Sequence, residues 1–420
     1  MYNGAMQIEK YSFGVGDRFG LEGVAQLRAL QKAAAAGIRI VPVWNKSNRE
    51  HAIVGTAPES TRKEADDAVR ATGWKDSCYV DADHITMATV EGYLSCSDFF
   101  TIDIADAIGK PAEGSLKSSY LAAMASYKGL HAIPGLSRQV EITDAVLNDY
   151  VTNYLCGITE AGVLYRHIAG KIGADRFVTE VSFDEARTPQ TAVELLLILL
   201  GLAREGVPVQ TIAPKFPGAF LKGVDYVGDP RQFARDFADD LAVIAYAVKN
   251  FGLPKNLKMS IHTGSDKFSL YPLIYKAIRD VDAGVHLKTA GTTWLEELAG
   301  IAASGGAGLE FAKAIYQESF ARCEALCKPY VAIIDIDPRK LPAPESVASW
   351  GAGEFVRALR HDQSCASYNR HLRQLFHIGF KVAAERKGRL AELIRENKKI
   401  VEENVTTNLF ERHIKPLFGI

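Results

Sequence analysis

The stretch LKMSIHTGSDKFSLYPLIYKAIRDVDAGVHLK, residues 257–288, contains one complete strand–helix–strand unit. Residues 257–261 and 284–287 are short apolar runs that lead into polar residues, a pattern typical of buried strands. Between them, residues 270–279 carry apolar side chains at helical spacing. A strand, a helix and a second strand in this order predict two parallel strands joined by a crossover helix.

The same alternation runs through most of the chain. Helical spacing also follows strand-like runs at residues 23–36 and 231–250. The predicted strands are at residues 11–15, 38–43, 78–80, 100–104, 177–181, 209–212, 257–261 and 284–287. Strands that alternate with helices form a parallel sheet, and eight such strands close into a barrel. We therefore predict an α/β fold, a (β/α)8 TIM barrel.

Two parts of the chain exceed what a minimal barrel needs. Residues 105–176 separate the fourth and fifth strands, far more than a loop requires, and include an amphipathic run at 147–172. A long segment with helical patterning also follows the eighth strand. We predict a catalytic barrel domain over residues 1–300 with a helical insertion around 107–175, and a mostly helical C-terminal extension over 301–420 packed on the barrel.

Composition argues against nucleic acid and membranes as partners. The formal net charge is −1, so no basic surface for polyanions is indicated. We find no secretory leader, and the longest apolar run, residues 192–203, is shorter than the roughly 20 residues that span a bilayer. The six cysteines are scattered and are predicted to be reduced thiols. We expect a cytoplasmic protein that acts on a small molecule, and a homo-oligomer is left open.

Polar residues follow nearly every predicted strand, and three of them are histidines. His84, His262 and His286 lie at the ends of the third, seventh and eighth strands. The carboxyl ends of barrel strands build one active-site face, so these imidazoles are expected to converge. Three neutral imidazoles hold a divalent cation and leave positions open for substrate oxygens. We predict a site for Zn, Mn, Ni, Co or Fe.

Two carboxylates beside this predicted metal site are candidates for proton transfer. Asp83 directly precedes His84, so it can reach substrate oxygens at the metal. Glu180 lies on the fifth strand and points toward the same mouth. The alternatives are structural: Asp83 caps a loop, and Glu180 forms an ion pair with a lysine or acts as a fourth metal ligand.

The predicted rim also carries positive charge beyond what one cation site requires. The candidate substrate-binding residues are Asp17, Arg18, Lys215, Ser265, Lys267 and Lys288. The basic members of this set suit an anionic substrate that carries a carboxylate or phosphate. The chain has neither a complete G-x-G-x-x-G motif after a strand nor a phosphate-binding P-loop, which argues against a dinucleotide enzyme or an NTPase.

Several segments resemble the tagaturonate/fructuronate epimerase family. They are YSFGVGDRFG (11–20), DADHI (81–85), TEVSFDE (179–185), SIHTGSDK (260–267) and HLKTAGT (286–292), and SIHTGSDK is the most specific. The family is similar to metal-dependent class II ketose aldolases. The resemblance implies interconversion of D-tagaturonate and D-fructuronate in hexuronate catabolism. It also implies Asp83 as proton acceptor, Glu180 as proton donor and the three histidines as metal ligands.

Two other functions remain open at this point. The same site could cleave a ketose or ketose phosphate as an aldolase, which would release free trioses. The chain could also be a non-catalytic subunit of the aldolase-like kind, although such a subunit has little reason to retain a complete histidine trio beside Asp83.

Overall fold

The computed structural model describes residues 6–112, 114–289 and 291–420, and its main feature is a closed parallel barrel. The strands are β1 (Tyr11–Gly14), β2 (Val41–Ser47), β3 (Tyr79–Ile85), β4 (Phe99–Asp103), β5 (Gly129–His131), β6 (Val140–Ile142), β7 (Val178–Ser182), β8 (Thr211–Ala213), β9 (Lys258–His262) and β10 (Val285–Lys288). The barrel order is β1-β10-β9-β8-β7-β4-β3-β2, and all eight pairings are parallel. The predicted (β/α)8 barrel is confirmed.

Helices surround the barrel and form most of the remaining chain. They are α1 (Gly23–Ala35), α2 (Asn48–Val54), α3 (Glu59–Thr72), α4 (Gly114–Met124), α5 (Asp144–Ile172), α6 (Ala192–Arg204), α7 (Pro230–Phe251), α8 (Tyr271–Asp280), α9 (Thr292–Ala303), α10 (Gly306–Ala321), α11 (Cys323–Cys327), α12 (Pro344–Ser349), α13 (Ala352–Leu359), α14 (Arg370–Ile378), α15 (Phe380–Ala384), α16 (Lys387–Glu396), α17 (Lys398–Thr407) and α18 (Lys415–Phe418). A π-helical stretch, Asn408–Ile414, joins the last two. No helix in the described ranges is long and apolar enough to cross a membrane.

Local sequence signals begin several of these helices. Ser47 and Thr191 each form a capping box with a glutamate three residues later, at the start of α2 and α6. Asp229 caps α7, and Pro230 at its first position has a backbone angle suited to a helix start. These caps lie in the loops that follow β2, β7 and β8, so they fix the directions in which the chain leaves the barrel mouth.

The inward-facing side chains change from apolar to polar along each strand. At the amino ends of the strands, a small buried cluster contains Val41, Val43, Tyr79, Phe99 and Val178 together with Ile8. Because strand side chains alternate between faces, the next inward positions on the same strands are two residues later. These positions hold polar residues such as Asp81, Thr101 and Glu180. The amino ends of the strands are therefore filled by apolar side chains, and the polar side chains lie toward the carboxyl ends.

The insertion between β4 and β7 contains more than the predicted helices. It comprises α4, the antiparallel pair β5–β6 and the long helix α5, which includes the predicted amphipathic run 147–172. The pair β5–β6 was not predicted because each strand has only three residues, too few to show a two-residue periodicity. Buried side chains of α5 join the main core around the barrel.

The segment after β10 contributes to two different cores. Most of its helices, beginning with α9, form a second apolar cluster. In contrast, Val405, Leu409, Ile414 and Leu417 belong to the barrel core. The stretch 408–418 packs against both α1 and α8. It therefore occupies the place between those helices where a barrel of this kind usually has the helix that follows its last strand. The proposed domain boundary near residue 300 stays a prediction.

Candidate active site

A backbone irregularity in β3 shapes the centre of the barrel mouth. The pairing of β3 with β4 shifts register between Ala82 and Ile85, which is the signature of a β-bulge. Within it, His84 has a φ of 55°, a left-handed conformation that is unusual for a residue other than glycine. The bulge therefore lets the consecutive residues Asp83 and His84 both face the mouth.

His84 and His262 meet across the barrel with several carboxylates around them. Their ring centroids are 5.2 Å apart. His84 Nδ1 lies 3.2 Å from Asp103 Oδ2, and His262 Nδ1 lies 3.1 Å from Asp184 Oδ2. Within the described ranges, His84, Asp184 and His262 are the group whose ligand atoms lie close enough together, within 4.8 Å, to hold a metal ion.

The charges around His262 favour a cationic occupant. Burial acts to lower the pKa of His262, but Asp184 and Glu180 outweigh it and raise this pKa to about 9. Glu180 Oε1 lies 2.9 Å from His262 Nε2. An imidazole held by two carboxylates in this way is stabilised when positive charge is present, whether as a proton or as a metal ion.

Lys288 forms the floor of the site and is almost completely buried. Its ammonium lies 2.6 Å from Asp81 Oδ2, 2.8 Å from Glu180 Oε1 and 3.0 Å from Asp83 Oδ1. It also donates to Thr101 Oγ1 at 2.6 Å. Burial acts to lower the pKa of Lys288, yet the three carboxylates raise it well above its ordinary value. Lys288 is therefore a fixed cation, as the ion-pair alternative for Glu180 anticipated.

The carboxylates around Lys288 do not all behave alike. Burial dominates at Asp81 and raises its pKa to about 7. At Asp83, burial is outweighed by Lys288, His84 and His262, and its pKa falls below the ordinary value. Asp83 is thus ionised at neutral pH and suited to accept a proton, whereas Asp81 is the better reservoir for one.

The structure does not bring His286 together with the other two predicted ligands. His286 is fully buried, and its Nδ1 lies 2.9 Å from Ser12 Oγ. Its ring packs 5.4 Å from Phe99, next to the apolar end of the barrel. The register explains this position: Lys288, not His286, pairs with His262, so His286 is one inward layer deeper. Asp184 stands in the metal-capable group instead.

The predicted substrate-binding residues separate into a group that holds loops in place and a group that lies in or near the barrel mouth. Asp17 accepts hydrogen bonds from three backbone N–H groups just before α1, and Ser265 Oγ accepts one from Gly223. Lys267 is fully buried and donates to the carbonyls of Leu221 and Val224. These three residues hold loops in place. Lys288 lies in the site, Lys215 is half-buried after β8, and Arg18 forms an ion pair with Glu50.

Besides Asp81 in the Lys288 group, Asp184 and Asp103 are site residues that sequence reasoning did not select. Both lie in polar clusters at strand ends, so they were visible as candidates. The available signal was their position: Asp184 follows Glu180 by four residues, just past the end of β7. Only the folded geometry shows that both carboxylates orient imidazoles.

A closed parallel barrel with imidazole, carboxylate and lysine groups gathered at the carboxyl ends of its strands defines a (β/α)8-barrel enzyme. The family model described as UxaE, tagaturonate epimerase, matches residues 3–417. The chain therefore belongs to the tagaturonate epimerase family and is a carbohydrate epimerase, an isomerase. The family resemblance predicted from the sequence motifs is confirmed.

Individual relatives agree with this assignment. The tagaturonate/fructuronate epimerase of Thermotoga maritima is 28% identical over 426 residues, which cover 97% of this chain and 81% of that protein. A glycerol-bound crystal structure of the fructuronate-tagaturonate epimerase UxaE from Cohnella laeviribosi superposes with a TM-score of 0.82 at 22% identity, over 99% of this chain and 82% of that chain. The native structure gives a TM-score of 0.78 at 22% identity, with the same coverage. At this identity the structures support the fold.

Proposed function

We propose that this enzyme interconverts D-tagaturonate and D-fructuronate, and that it does so with a divalent cation at the barrel mouth. Family membership supports the substrate pair. The observation that carries the site is the group formed by His84, Asp184 and His262, which lies directly beside Asp83 and Lys288.

The charge balance of the site fits a divalent cation. The carboxylates of Asp81, Asp83, Asp103, Glu180 and Asp184 surround two imidazoles, and three of them, Asp81, Asp83 and Glu180, share Lys288. Two imidazoles and a carboxylate with open positions form a common donor set for catalytic metals. We propose His84, His262 and Asp184 as the ligands of Zn, Mn, Ni, Co or Fe. Such a cation, when bound, would polarise the keto oxygen of the substrate as a Lewis acid.

The position of the stereocentre limits the possible routes. Tagaturonate and fructuronate differ at C4, and their ketone is at C2, so the C4 hydrogen is not acidic through a simple enolate. Breaking and remaking the C3–C4 bond avoids that difficulty. We propose that Asp83 accepts the proton of the C4 hydroxyl while the C3–C4 bonding electrons move toward C2. The resulting aldehyde turns over and re-adds through its other face, and the proton held by Asp83 returns to the new C4 hydroxyl with Glu180 as the second acid/base group.

Glu180 is proposed as the second acid/base group in this reaction. It contacts His262 Nε2 at 2.9 Å and Lys288 Nζ at 2.8 Å, and Thr211 Oγ1 donates to its other oxygen at 2.7 Å. These contacts also suit its two alternatives, an ion-pair partner of Lys288 or a further metal ligand. Glu180→Gln separates them: an unchanged metal content with a lower kcat supports proton transfer, and loss of metal makes Glu180 a ligand.

A metal-content measurement tests the proposed ligand set. Asp184→Asn should lower bound metal at least tenfold, because an amide is a much weaker ligand than a carboxylate. His286→Gln is the matched comparison and should retain metal at the parental stoichiometry. The opposite pattern would restore His286 as a ligand and remove Asp184. Chelation should abolish turnover, with recovery on adding Mn, Co, Ni or Zn, and full activity of metal-stripped enzyme would refute metal dependence.

Isotope labelling tests the route and the aldolase alternative together. Turnover in deuterated water should leave the C4 hydrogen unexchanged, because the bond that breaks is C3–C4. An added labelled three-carbon aldehyde acid should be incorporated into the hexuronate. Deuterium at C4, or stoichiometric NAD in active enzyme, would overturn the route. Free three-carbon products as the main outcome would indicate an aldolase.

A further inference from the structure

Three cations surround one aromatic ring above the barrel mouth. Lys381 Nζ lies 4.5 Å, Lys222 Nζ 5.2 Å and the Arg49 guanidinium 5.8 Å from the ring centroid of Tyr330, which is almost fully buried. The ring face attracts each cation and holds it beside the others. These four residues, termed the Tyr330 cluster, concentrate like charges that repel one another without an anion among them.

Arg18 extends the Tyr330 cluster toward the barrel. Its guanidinium stacks 4.0 Å from the Phe380 ring, and one of its terminal nitrogens pairs with Glu50. Burial and the positive charge of Arg18 together lower the pKa of Lys222 to about 8, which indicates that the two cations lie near each other. Within the described ranges, the buried Nε of Arg18 has no hydrogen-bond partner.

His377 supplies a second buried group that lacks partners. Its side chain is fully buried, and among the described residues neither ring nitrogen makes a hydrogen bond. A Cβ atom on Gly291 would overlap His377 Nε2 and stand 2.9 Å from Arg18 Nη2, so both groups converge on this glycine. Burial, followed by the charges of Arg18 and Lys222, holds the pKa of His377 well below 6.5. The ring is therefore neutral and can donate one hydrogen bond.

The placement of these groups links them to the catalytic mouth. Arg18, Arg49 and Lys222 follow β1, β2 and β8, so they lie at the carboxyl ends of the barrel strands. Glu185, the neighbour of Asp184, lies close enough to Lys222 to affect its pKa. Lys381 and His377 come from the segment after residue 300 and reach the same rim.

We propose that the carboxylate of the sugar acid binds among the three cations of the Tyr330 cluster (Arg49, Lys222 and Lys381), Arg18 and His377. The inference rests on the proposed function and deepens it by giving that site its specificity for an anionic substrate. It also gives the segment after residue 300 a direct part in substrate binding. In the proposed route the carboxylate belongs to the C4–C6 fragment, so this subsite would hold the fragment while it turns over.

Binding of a sugar acid that cannot react gives the sharpest test. D-galactonate carries the carboxylate but no ketone, and its affinity for the full-length, metal-loaded protein can be measured by titration calorimetry. Lys222→Met and Lys381→Met should each weaken D-galactonate binding about tenfold or more, the value of one charge-assisted contact. The affinity for the uncharged ketose D-tagatose should change less than about threefold in both variants.

A matched control and two further outcomes complete the design. Lys32, on the outer helix α1, has its Nζ 5.7 Å from the centroid of the Phe410 ring. Lys32→Met therefore removes the same type of cation–ring contact away from the mouth and should leave D-galactonate binding unchanged. Equal affinities for D-galactonate in the parent and both cluster variants would overturn the subsite, as would inorganic phosphate displacing D-galactonate at lower concentration. If the parent protein binds D-galactonate but does not convert tagaturonate, the proposed function is rejected and the carboxylate subsite is supported.

Discussion

The shared position of Asp83 and His84 at the barrel mouth depends on one residue of irregular backbone. In a regular strand, consecutive side chains point to opposite faces, so only one of the two could reach the mouth. The register shift and the left-handed His84 let both do so. A conformation of this kind costs roughly 1–3 kcal/mol and persists where the surrounding structure enforces it.

Replacing Asp83 with asparagine tests the proton-transfer role directly. Asp83→Asn keeps the size of the side chain but removes the proton acceptor, so kcat should fall by roughly 10²-fold or more. Metal content should stay at the parental level, because the proposed ligands are His84, Asp184 and His262. Steady-state kinetics together with elemental analysis measure both quantities. A variant with normal kcat would remove Asp83 from the mechanism.

The sequence predicted where the candidate site residues gather, whereas its metal-ligand set stays a prediction. Asp83, Glu180, His84, His262 and Lys288 all meet at the mouth, because polar residues at strand ends converge in any parallel barrel. The place of His286 depends on its register against β9, which a single sequence does not reveal. Lys267 donates to backbone carbonyls instead of facing the site. The path of the surrounding loops decides whether a lysine faces substrate or protein, and a single sequence does not reveal that path either.

At the scale of the elements, the contact between α5 and α6 depends on a glycine, which has no side chain. Gly201 lies inside α6, and a Cβ atom there would overlap the hydroxyl of the buried Tyr150 on α5. Gly201 is therefore a site of close helix approach, although a glycine inside a helix normally reduces its stability. This contact attaches the insertion between β4 and β7 to the helices of the barrel.

Two alanine substitutions measure this contact. Gly201→Ala should lower the free energy of unfolding by about 1–3 kcal/mol through overpacking. Gly170→Ala in α5 is the matched control, since nothing lies within 4 Å of a Cβ atom there. That change should be neutral or stabilising by up to about 1 kcal/mol, because alanine favours the helix more than glycine does. Urea unfolding curves measure both, and equal effects would show that α5 and α6 separate easily.

Element boundaries followed from sequence where caps and apolar runs were present. The eight barrel strands were all found, and α1, α7 and α8 match their predicted ranges to within one residue at each end. The largest difference at one end of a strand is in β3, which continues to Ile85, beyond its predicted end at residue 80. Polar inward positions make the end of a barrel strand look like a turn, and this error follows from the presence of the active site.

Across the whole molecule, a buried ion network fastens the barrel to the segment after residue 300. Asp266, just after β9, lies 2.6 Å from Arg373 Nη2 and 3.0 Å from His361 Nδ1, and its other oxygen lies 3.2 Å from His413 Nε2. Thr292 donates to that other oxygen at 2.9 Å. Burial acts to raise the pKa of Asp266, but Arg373 and the two histidines hold it well below its ordinary range.

This depressed pKa predicts a pH-dependent contribution to stability. At neutral pH, Asp266→Asn should cost roughly 3–5 kcal/mol, because it leaves Arg373 buried without its ion partner. The unfolded carboxyl titrates at about pH 3.9 and the folded one lower, so the stabilisation is complete above that pH and is lost as the pH falls through the folded value. The difference between parent and variant should therefore narrow below about pH 4.

Urea unfolding at several pH values from 7 to 3 measures this change. The half-buried Asp337, whose ion partner Arg339 is exposed, provides the control, and Asp337→Asn should leave the unfolding midpoint unchanged at neutral pH. A difference between parent and Asp266→Asn that stays constant down to pH 3 would show that folding does not lower the pKa of Asp266.

The position of residues 408–418 between α1 and α8 has a consequence for biosynthesis. The ribosome makes α1 long before residues 408–418, which are its neighbours in the outer ring. Until then, apolar side chains of α1 and α8 such as Leu27, Leu30 and Ile274 lack part of their cover. Exposed surface of this kind binds chaperones and promotes aggregation. We therefore expect nascent chains stalled before residue 405 to be sensitive to protease, and chains extended past residue 420 by a linker that clears the exit tunnel to resist it.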